Sequence, residues 1–351
     1  MMLQCSGTWV RLGNLSSIAR ISGTLLKRAM PDRLPVSLVI PTYNRGGLVE
    51  KTIASALDQQ QAFAEIIVVD DASTDDTVAR LERFEGDITL IRTDRGGVQR
   101  ARNTGVEASS TPYVALCDSD DLLRPEFTAS VATAASERPE VDIWYCNFTP
   151  FTGENMQTDK LDSAPADFLE GAACGKDYCT DIPDLTRRVL AYQPFFPTGS
   201  VIKKAFYQEI GGYDPRFNGV GSEDFEFLLR AIAIGKLGYL TRSLAAIRKH
   251  EGNDSRDTLR SLTGEAEILE HALANHRGTG RYRDAILASA DKRRRDAFDI
   301  AYARGDFSAA KDTASHFTSA PTDSNFRIKN AISHFPPIMR DVAWRLTQAV
   351  H

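Results

Sequence analysis

The chain has 351 residues, 42% of them hydrophobic and 25% charged, a balance that supports a sizeable buried core in one large or two smaller domains and excludes a disordered protein. Its 42 lysines and arginines against 47 aspartates and glutamates give a formal net charge of -5, which lends no support to a nucleic-acid binder and makes any basic surface local. No apolar run approaches the ~20 residues that cross a bilayer.

Residues 1–30 carry Arg11, Arg20, Lys27 and Arg28 and no acidic residue, interleaved with Trp9, Ile18 and Leu25 among other apolar side chains. A basic amphipathic helix on an anionic membrane surface and a dispensable leader both fit this pattern. Gly7, Gly13 and Gly23 weaken the helix, and Met30 directly before Pro31 is an alternative start, so residues 1–34 are expected to be a leader. The apolar stretch is too broken by charge for a secretory signal.

Regular alternation begins at Val36. Val36 to Ile40 reads as a buried strand, and Gly47 to Gln59 as a helix with Val49, Ile53 and Ala56 on one face. Glu65 to Val69 is a second strand. Ser73-Thr-Asp-Asp76 has the form of a capping box opening a helix that runs through Phe84. Asp87 to Arg92, Val98 to Ala108 and Tyr113 to Cys117 continue as strand, helix and strand. Such alternation implies right-handed crossovers and a mostly parallel sheet, with ligands at the carboxyl ends of the strands.

The loops at those ends are Pro41-Thr-Tyr-Asn-Arg45, Asp70-Asp-Ala-Ser-Thr-Asp75 and Asp118-Ser-Asp-Asp121. A carboxylate ending one strand can accept hydrogen bonds from a ribose or a base N–H, while one on a neighbouring strand end can hold a divalent cation against a diphosphate. A solvated acidic turn is the plainer account of Asp118 to Asp121. Neither GxGxxG nor a Walker lysine is present to bind phosphates, which favours a metal as the counter-charge. The five cysteines, Cys5, Cys117, Cys146, Cys174 and Cys179, are odd in number and lack CxxC pairs, so reduced thiols in a cytosolic compartment are expected. Cys174 and Cys179 could approach one another on a loop, but no His or Cys cluster beside them suggests a metal.

Val-Ser-Leu-Val-Ile-Pro-Thr-Tyr-Asn-Arg (36–45), Ile-Ile-Val-Val-Asp-Asp-Ala-Ser-Thr-Asp (66–75), Ala-Arg-Asn-Thr-Gly (101–105) and Cys-Asp-Ser-Asp-Asp (117–121) resemble, in order, the successive blocks of the family 2 glycosyltransferases, inverting enzymes of the GT-A fold. The resemblance continues through Val201 to Asp214 and Gly221 to Arg230, covering about residues 35–255. It implies an α/β, Rossmann-like GT-A domain over 35–257, with 258–351 as a helical C-terminal extension. Pro41, Thr42, Tyr43 and Asn44 would line the nucleotide pocket, with Asp71 facing the base. Asp118 and Asp120 would be the metal-associated pair, Asp120 the direct ligand to the Mn²⁺ or Mg²⁺ that bridges the donor diphosphate. Arg102 would add to charge stabilisation there, unless it is a solvated helix-face arginine. His250, with Arg248 as substitute, would approach the metal or the diphosphate.

Glu223 and Asp224 precede an apolar helical stripe, Phe225, Leu228, Leu229 and Ile232, so they sit at a helix N-terminus, where dipole capping accounts for one carboxylate better than two. The resemblance makes Asp224 the base that takes the acceptor proton and Glu223 an acceptor contact. Acceptor specificity is expected within residues 150–200, where Phe195 and Phe196 either stack on sugars or pack in the core. Beyond residue 258 the pattern is helical. Ala301 to Lys311 is similar to one unit of a helical-hairpin repeat, and Phe326 to Val350 is expected to pack on the catalytic domain, with membrane-surface contact the second reading.

The expected activity is a cytoplasmic, metal-dependent transfer of a sugar from a nucleoside diphosphate, uridine diphosphate by analogy, to a glycan or lipid-linked acceptor in cell-surface polysaccharide synthesis, with peripheral contact at the inner face of the membrane. The alternatives are a sugar-nucleotide-binding protein without catalysis and a nucleotidyltransferase, which would show a Gly-rich, Lys- or Arg-bearing phosphate loop after the first strand.

Overall fold

The computed structural model describes residues 34–250 and 257–348, together with the backbone of two short strands, β1 (Met2–Cys5) and β2 (Thr8–Arg11). β1 and β2 pair antiparallel, so over these residues the helical reading of the leader is wrong. The remainder of 1–33, with most of that reading, lies outside the described residues, as do 251–256. The chain divides into two units, Met1–Leu34 and Pro35–His351.

In the second unit the Val/Leu/Ile run of β3 (Val36–Thr42) is buried along its whole length, as a central strand covered on both faces must be. β3 pairs in parallel with β4 (Glu65–Asp70) and with β6 (Tyr113–Leu116), and β4 with β5 (Thr89–Arg92). Helices α1 (Gly46–Leu57), α2 (Thr77–Leu81) and α3 (Val98–Ala108) make the crossovers. α3 lies close on the sheet because Gly105 has no side chain; a Cβ there would stand 2.3 Å from Val39 Cγ1. The expected capping box does not form. Ser73 Oγ instead accepts from the Asn44 backbone N–H at 2.8 Å, and the helix starts at Thr77, whose N–H is donated to Asp75 Oδ1 at 2.9 Å.

Beyond β6 the sheet changes direction. β12 (Ser200–Lys203) enters antiparallel between β6 and β8 (Ile143–Thr152), and β13 (Leu237–Arg248) runs parallel to β8. With β10 (Ala173–Cys174) and β11 (Tyr178–Thr180), the main path of the sheet runs β10-β11-β13-β8-β12-β6-β3-β4-β5. The short β7 (Leu122–Leu123) pairs with the end of β13, Leu122 opposite Ala246, which brings the residues after β13 back to the acidic turn after β6.

β10 (Ala173–Cys174) and β11 (Tyr178–Thr180) form a hairpin on β13 in which Cys174 and Cys179 are directly opposed and joined by a disulfide, with Cα atoms 4.0 Å apart. The reading of these two as reduced thiols is therefore wrong. Register, which neither composition nor spacing discloses, sets them face to face. Cys117 and Cys146 are buried free thiols.

Five helices follow: α8 (Thr258–Asn275), α9 (Arg283–Ala303), α10 (Phe307–Ser315), α11 (Ser324–Ser333) and α12 (Pro337–Gln348). Asp257, Asp306 and Asp323 cap three of them by accepting from the backbone N–H three residues on. Ile268, Leu269, Ala272, Ile286 and Ala290 join the main core around Phe225 and Leu228. α9 and α10 turn back on each other at Gly305, φ 72°, as the helical-hairpin pattern predicts. Trp344 of α12 packs on Tyr302, Phe307 and Ile332 and donates Nε1–H to the Tyr302 carbonyl at 2.8 Å. The packing expected of the last segment is confined to that side; Ile338, Met339, Val342 and Leu346 are exposed.

Candidate active site

β6 runs into Asp118, whose Oδ1 accepts from Arg102 Nη2 at 2.6 Å. Arg102 projects from α3 and is only 3% exposed, so it is no solvated helix-face arginine. Its guanidinium carbon lies 4.9 Å from the centroid of the Tyr213 ring. Burial works against its charge, yet Asp118 above all raises its pKa and keeps it ionised. Its Nε and Nη1 have no hydrogen-bond partner among the described residues. Two buried donors on a fixed cation leave a desolvation cost that an anionic acceptor would remove.

Two residues on, Asp120 Oδ2 lies 2.9 Å from His250 Nε2 and 3.8 Å from Arg45 Nε, while Arg248 Nε donates to the Asp120 carbonyl at 2.8 Å. The pairing of β7 with β13 makes this convergence possible. Asp121 serves differently. It is buried, with Oδ2 accepting from Thr198 Oγ1 at 2.6 Å and Oδ1 from the Arg248 backbone N–H at 2.8 Å, and so ties the turn to β12 and β13. Burial, then Asp120 and Asp118, push its carboxyl well above the ordinary range. One carboxylate oxygen and one imidazole nitrogen beside an Arg102–Asp118 pair form a donor set that Mn²⁺ accepts, with further positions left for phosphate oxygens.

On the other side of β3, Pro41 and Thr42 are buried as its last two residues, and Thr42 Oγ1 is without a partner among the described residues. Asn44, at φ 51°, holds two loops together: its Oδ1 accepts from the Thr74 backbone N–H at 2.8 Å and from that of Asp75 at 3.3 Å. Asp71 is 3% exposed; its Oδ1 accepts from the Gly96 N–H at 2.7 Å and its Oδ2 from the Gly97 N–H at 2.8 Å and from Arg95 Nη1 at 2.5 Å. The Arg95 guanidinium carbon stands 3.4 Å from the centroid of the Tyr43 ring. Arg95 is not among the residues expected from the sequence; it lies in Asp94 to Gly97, the loop after the third strand, β5. Its position after a parallel strand was the available signal.

Glu223 and Asp224 open α7 (Glu223–Ile234). Asp224 is half-buried, and the packing around its carboxyl first, then the neighbouring Glu223, raise its pKa to about 7 against the opposing pull of Arg102. The turn before it is braced from the C-terminal helices: Ser222, left-handed at φ 56°, donates Oγ–H to Glu265 Oε1 at 2.9 Å, and Arg293 Nε donates to Glu265 Oε2 at 2.5 Å. Neither Glu265 nor Arg293 had a sequence signal. Among the described residues, Glu226, His271 and His276 bring three metal-ligating atoms within 4.8 Å of one another. Glu226 lies two helical positions past Asp224, hence on the opposite face, and both its oxygens are held by the Arg230 fork at 2.7 Å.

Residues 37–185 match the model of the family described as Glycosyl transferase family 2. The validoxylamine A glucosyltransferase of Streptomyces hygroscopicus subsp. jinggangensis is 28% identical over 243 residues, 63% of this chain and 58% of that protein. The succinoglycan biosynthesis protein ExoO of Rhizobium meliloti is 38% identical over 98 residues, 27% of this chain and 28% of that protein. This chain thus spans about half or less of the length of these two relatives. Among solved structures, S. aureus TarS 1–349 in complex with UDP-GlcNAc superposes with a TM-score of 0.60 at 16% identity, covering 89% of each chain. That likeness establishes the GT-A fold. No helix among the described residues is long and apolar enough to cross a membrane.

Proposed function

With residues 37–185 belonging to glycosyl transferase family 2, we propose that the protein is a metal-dependent inverting glycosyltransferase that moves a sugar from a nucleoside diphosphate, uridine diphosphate by preference, to a glycan or lipid-linked acceptor of cell-surface polysaccharide synthesis. The observation that carries this reading is Arg102: a buried, permanently charged guanidinium with two nitrogens that lack a hydrogen-bond partner among the described residues, beside the Asp120–His250 pair. Binding of an anionic diphosphate satisfies all three features. Tyr43 and Asp71 take the base. Asp120 and His250 hold the divalent cation, Mn²⁺ or Mg²⁺, which when bound neutralises charge on the diphosphate oxygens. Asp224 removes the acceptor hydroxyl proton as that oxygen bonds to the anomeric carbon and the carbon–oxygen bond to the diphosphate breaks, with Glu223 orienting the acceptor. A pKa of about 7 makes Asp224 a stronger base than an ordinary carboxylate while leaving it largely ionised at slightly alkaline pH.

Calorimetric titration with UDP, with and without Mn²⁺, tests the donor site. The expectation is Mn²⁺-dependent binding in the wild type that Asp120→Ala removes. Unchanged metal-dependent affinity in the variant rejects the ligand assignment. A protein that binds UDP but transfers nothing from any nucleotide sugar favours the alternative of a non-catalytic binding protein.

A further inference from the structure

We infer that Arg95 occupies the nucleobase position of the donor site and must leave it before a nucleoside diphosphate binds, so that this one side chain sets the donor affinity. The inference rests on the donor-site reading above and adds to it a competitor built into the chain. The guanidinium is planar, and its carbon lies 3.4 Å from the centroid of Tyr43, the separation of stacked rings. The same group donates from Nη1 to Asp71 Oδ2 at 2.5 Å. These are the two contacts that a pyrimidine with a ring N–H makes between an aromatic face and a carboxylate: a stack and one donated hydrogen bond.

They cannot be shared. The backbone N–H groups of Gly96 and Gly97 take one position on each Asp71 oxygen and Arg95 takes the second on Oδ2, so a base stacked on the Tyr43 face that Arg95 covers, and donating to that oxygen, meets Arg95 in the same place. Arg95 is well suited to being exchanged, since its side chain is 54% exposed while Asp71 is nearly buried and fixed by backbone donors. Release therefore requires rotation of one solvated side chain and no movement of the sheet. When a site is closed part of the time, the apparent dissociation constant is the intrinsic one divided by the open fraction. A closed arrangement favoured a few-fold over the open one weakens apparent affinity by about the same few-fold.

The test is calorimetry of Mn²⁺-loaded wild type and Arg95→Ala with two probes: UDP, which needs the base position, and inorganic pyrophosphate, which reaches the diphosphate position alone. Arg95→Ala is expected to bind UDP at least about threefold more tightly and pyrophosphate within about twofold of the wild type, the difference being the removed competition. Thermal melting of the variant checks that the exposed substitution leaves the fold intact. UDP affinity unchanged or weakened in Arg95→Ala overturns the competitor role, as does a pyrophosphate affinity that changes in parallel. UDP binding by neither protein overturns the donor-site reading itself and this inference with it, whereas wild-type binding that the variant does not improve overturns the role of Arg95 alone.

Discussion

Asp224 has opposite consequences for stability and for activity. Its folded pKa of about 7 stands well above the ordinary 3.8. Below the ordinary value both folded and unfolded chains carry the proton, and the residue is neutral in the balance. Between that value and about 7 the unfolded carboxyl ionises while the folded one does not, so stability falls as pH climbs through this window and stays lowered above it. As the proposed base Asp224 must be ionised, so turnover is expected to rise over the same approach to pH 7. Asp224→Asn is expected to lower turnover by ~10²–10⁴ while leaving UDP affinity within a few fold, since the base acts on the acceptor. The variant should melt higher than the wild type at pH 8, with the gain vanishing towards pH 4. Turnover assays and paired melts at the two pH values check this, and near-normal turnover moves the base assignment to Glu223. The place of Glu223 and Asp224 at a helix start was legible from the apolar stripe that follows them, whereas the choice of Asp224 as base rests on the family resemblance. Glu265 could not be read from the sequence: it is an ordinary charged residue until Ser222 and Arg293 give it partners.

At the scale of elements, the brace behind α7 joins the site to the C-terminal helices. Gly264 of α8 lies so close to the turn before Asp224 that a Cβ would stand 2.3 Å from the Val220 carbonyl oxygen and 3.0 Å from that of Gly221, backbone atoms that only a shift of the turn can relieve. Gly264→Ala should therefore move Ser222 and Asp224 together, lowering turnover about tenfold or more for a displacement of the order of 1 Å. UDP affinity should stay within about twofold, because the residues proposed to hold the donor lie on β3, on α3 and in the loops after β3, β4, β6 and β13, away from this turn, and stability should fall by ~1–3 kcal/mol as for other overpacked sites. Comparing kcat, the UDP dissociation constant and the urea midpoint separates these effects; a loss of UDP affinity equal to the loss of turnover would mean that the turn supports the donor site instead. The local periodicity that announces β3, α1 and α3 says nothing of this contact. It also says nothing of β12 running antiparallel into the sheet, since strand order depends on which edges remain open once the parallel half has formed. The capping box at Ser73 misled for a related reason: the loop between β3 and α1 supplies a competing donor, Asn44 N–H, for the same hydroxyl.

For the molecule as a whole, a net charge of -5 opposes adhesion to an anionic surface, so any attachment must come from a local patch. α12 is the place to expect one. Trp344 fastens it to the helical core, while Ile338, 84% exposed, and Leu346, 66% exposed, project with Met339 and Val342 from its other side, with Arg340 and Arg345 on the same helix. An apolar face with basic residues on one short helix is the pattern of segments that lie in the headgroup region of a bilayer. This is the second of the two readings of the last segment, and it suits the lipid-linked one of the two acceptor classes proposed. Full-length protein is expected to co-sediment with vesicles containing phosphatidylglycerol. The double substitution Ile338→Asp with Leu346→Asp should reduce the bound fraction several-fold while leaving UDP affinity and the melting temperature unchanged, because neither side chain is buried. If the double variant sediments like the wild type and binding is lost instead when residues 1–29 are removed, the basic N-terminal segment is the anchor and α12 is not. A wild type that stays in the supernatant removes both.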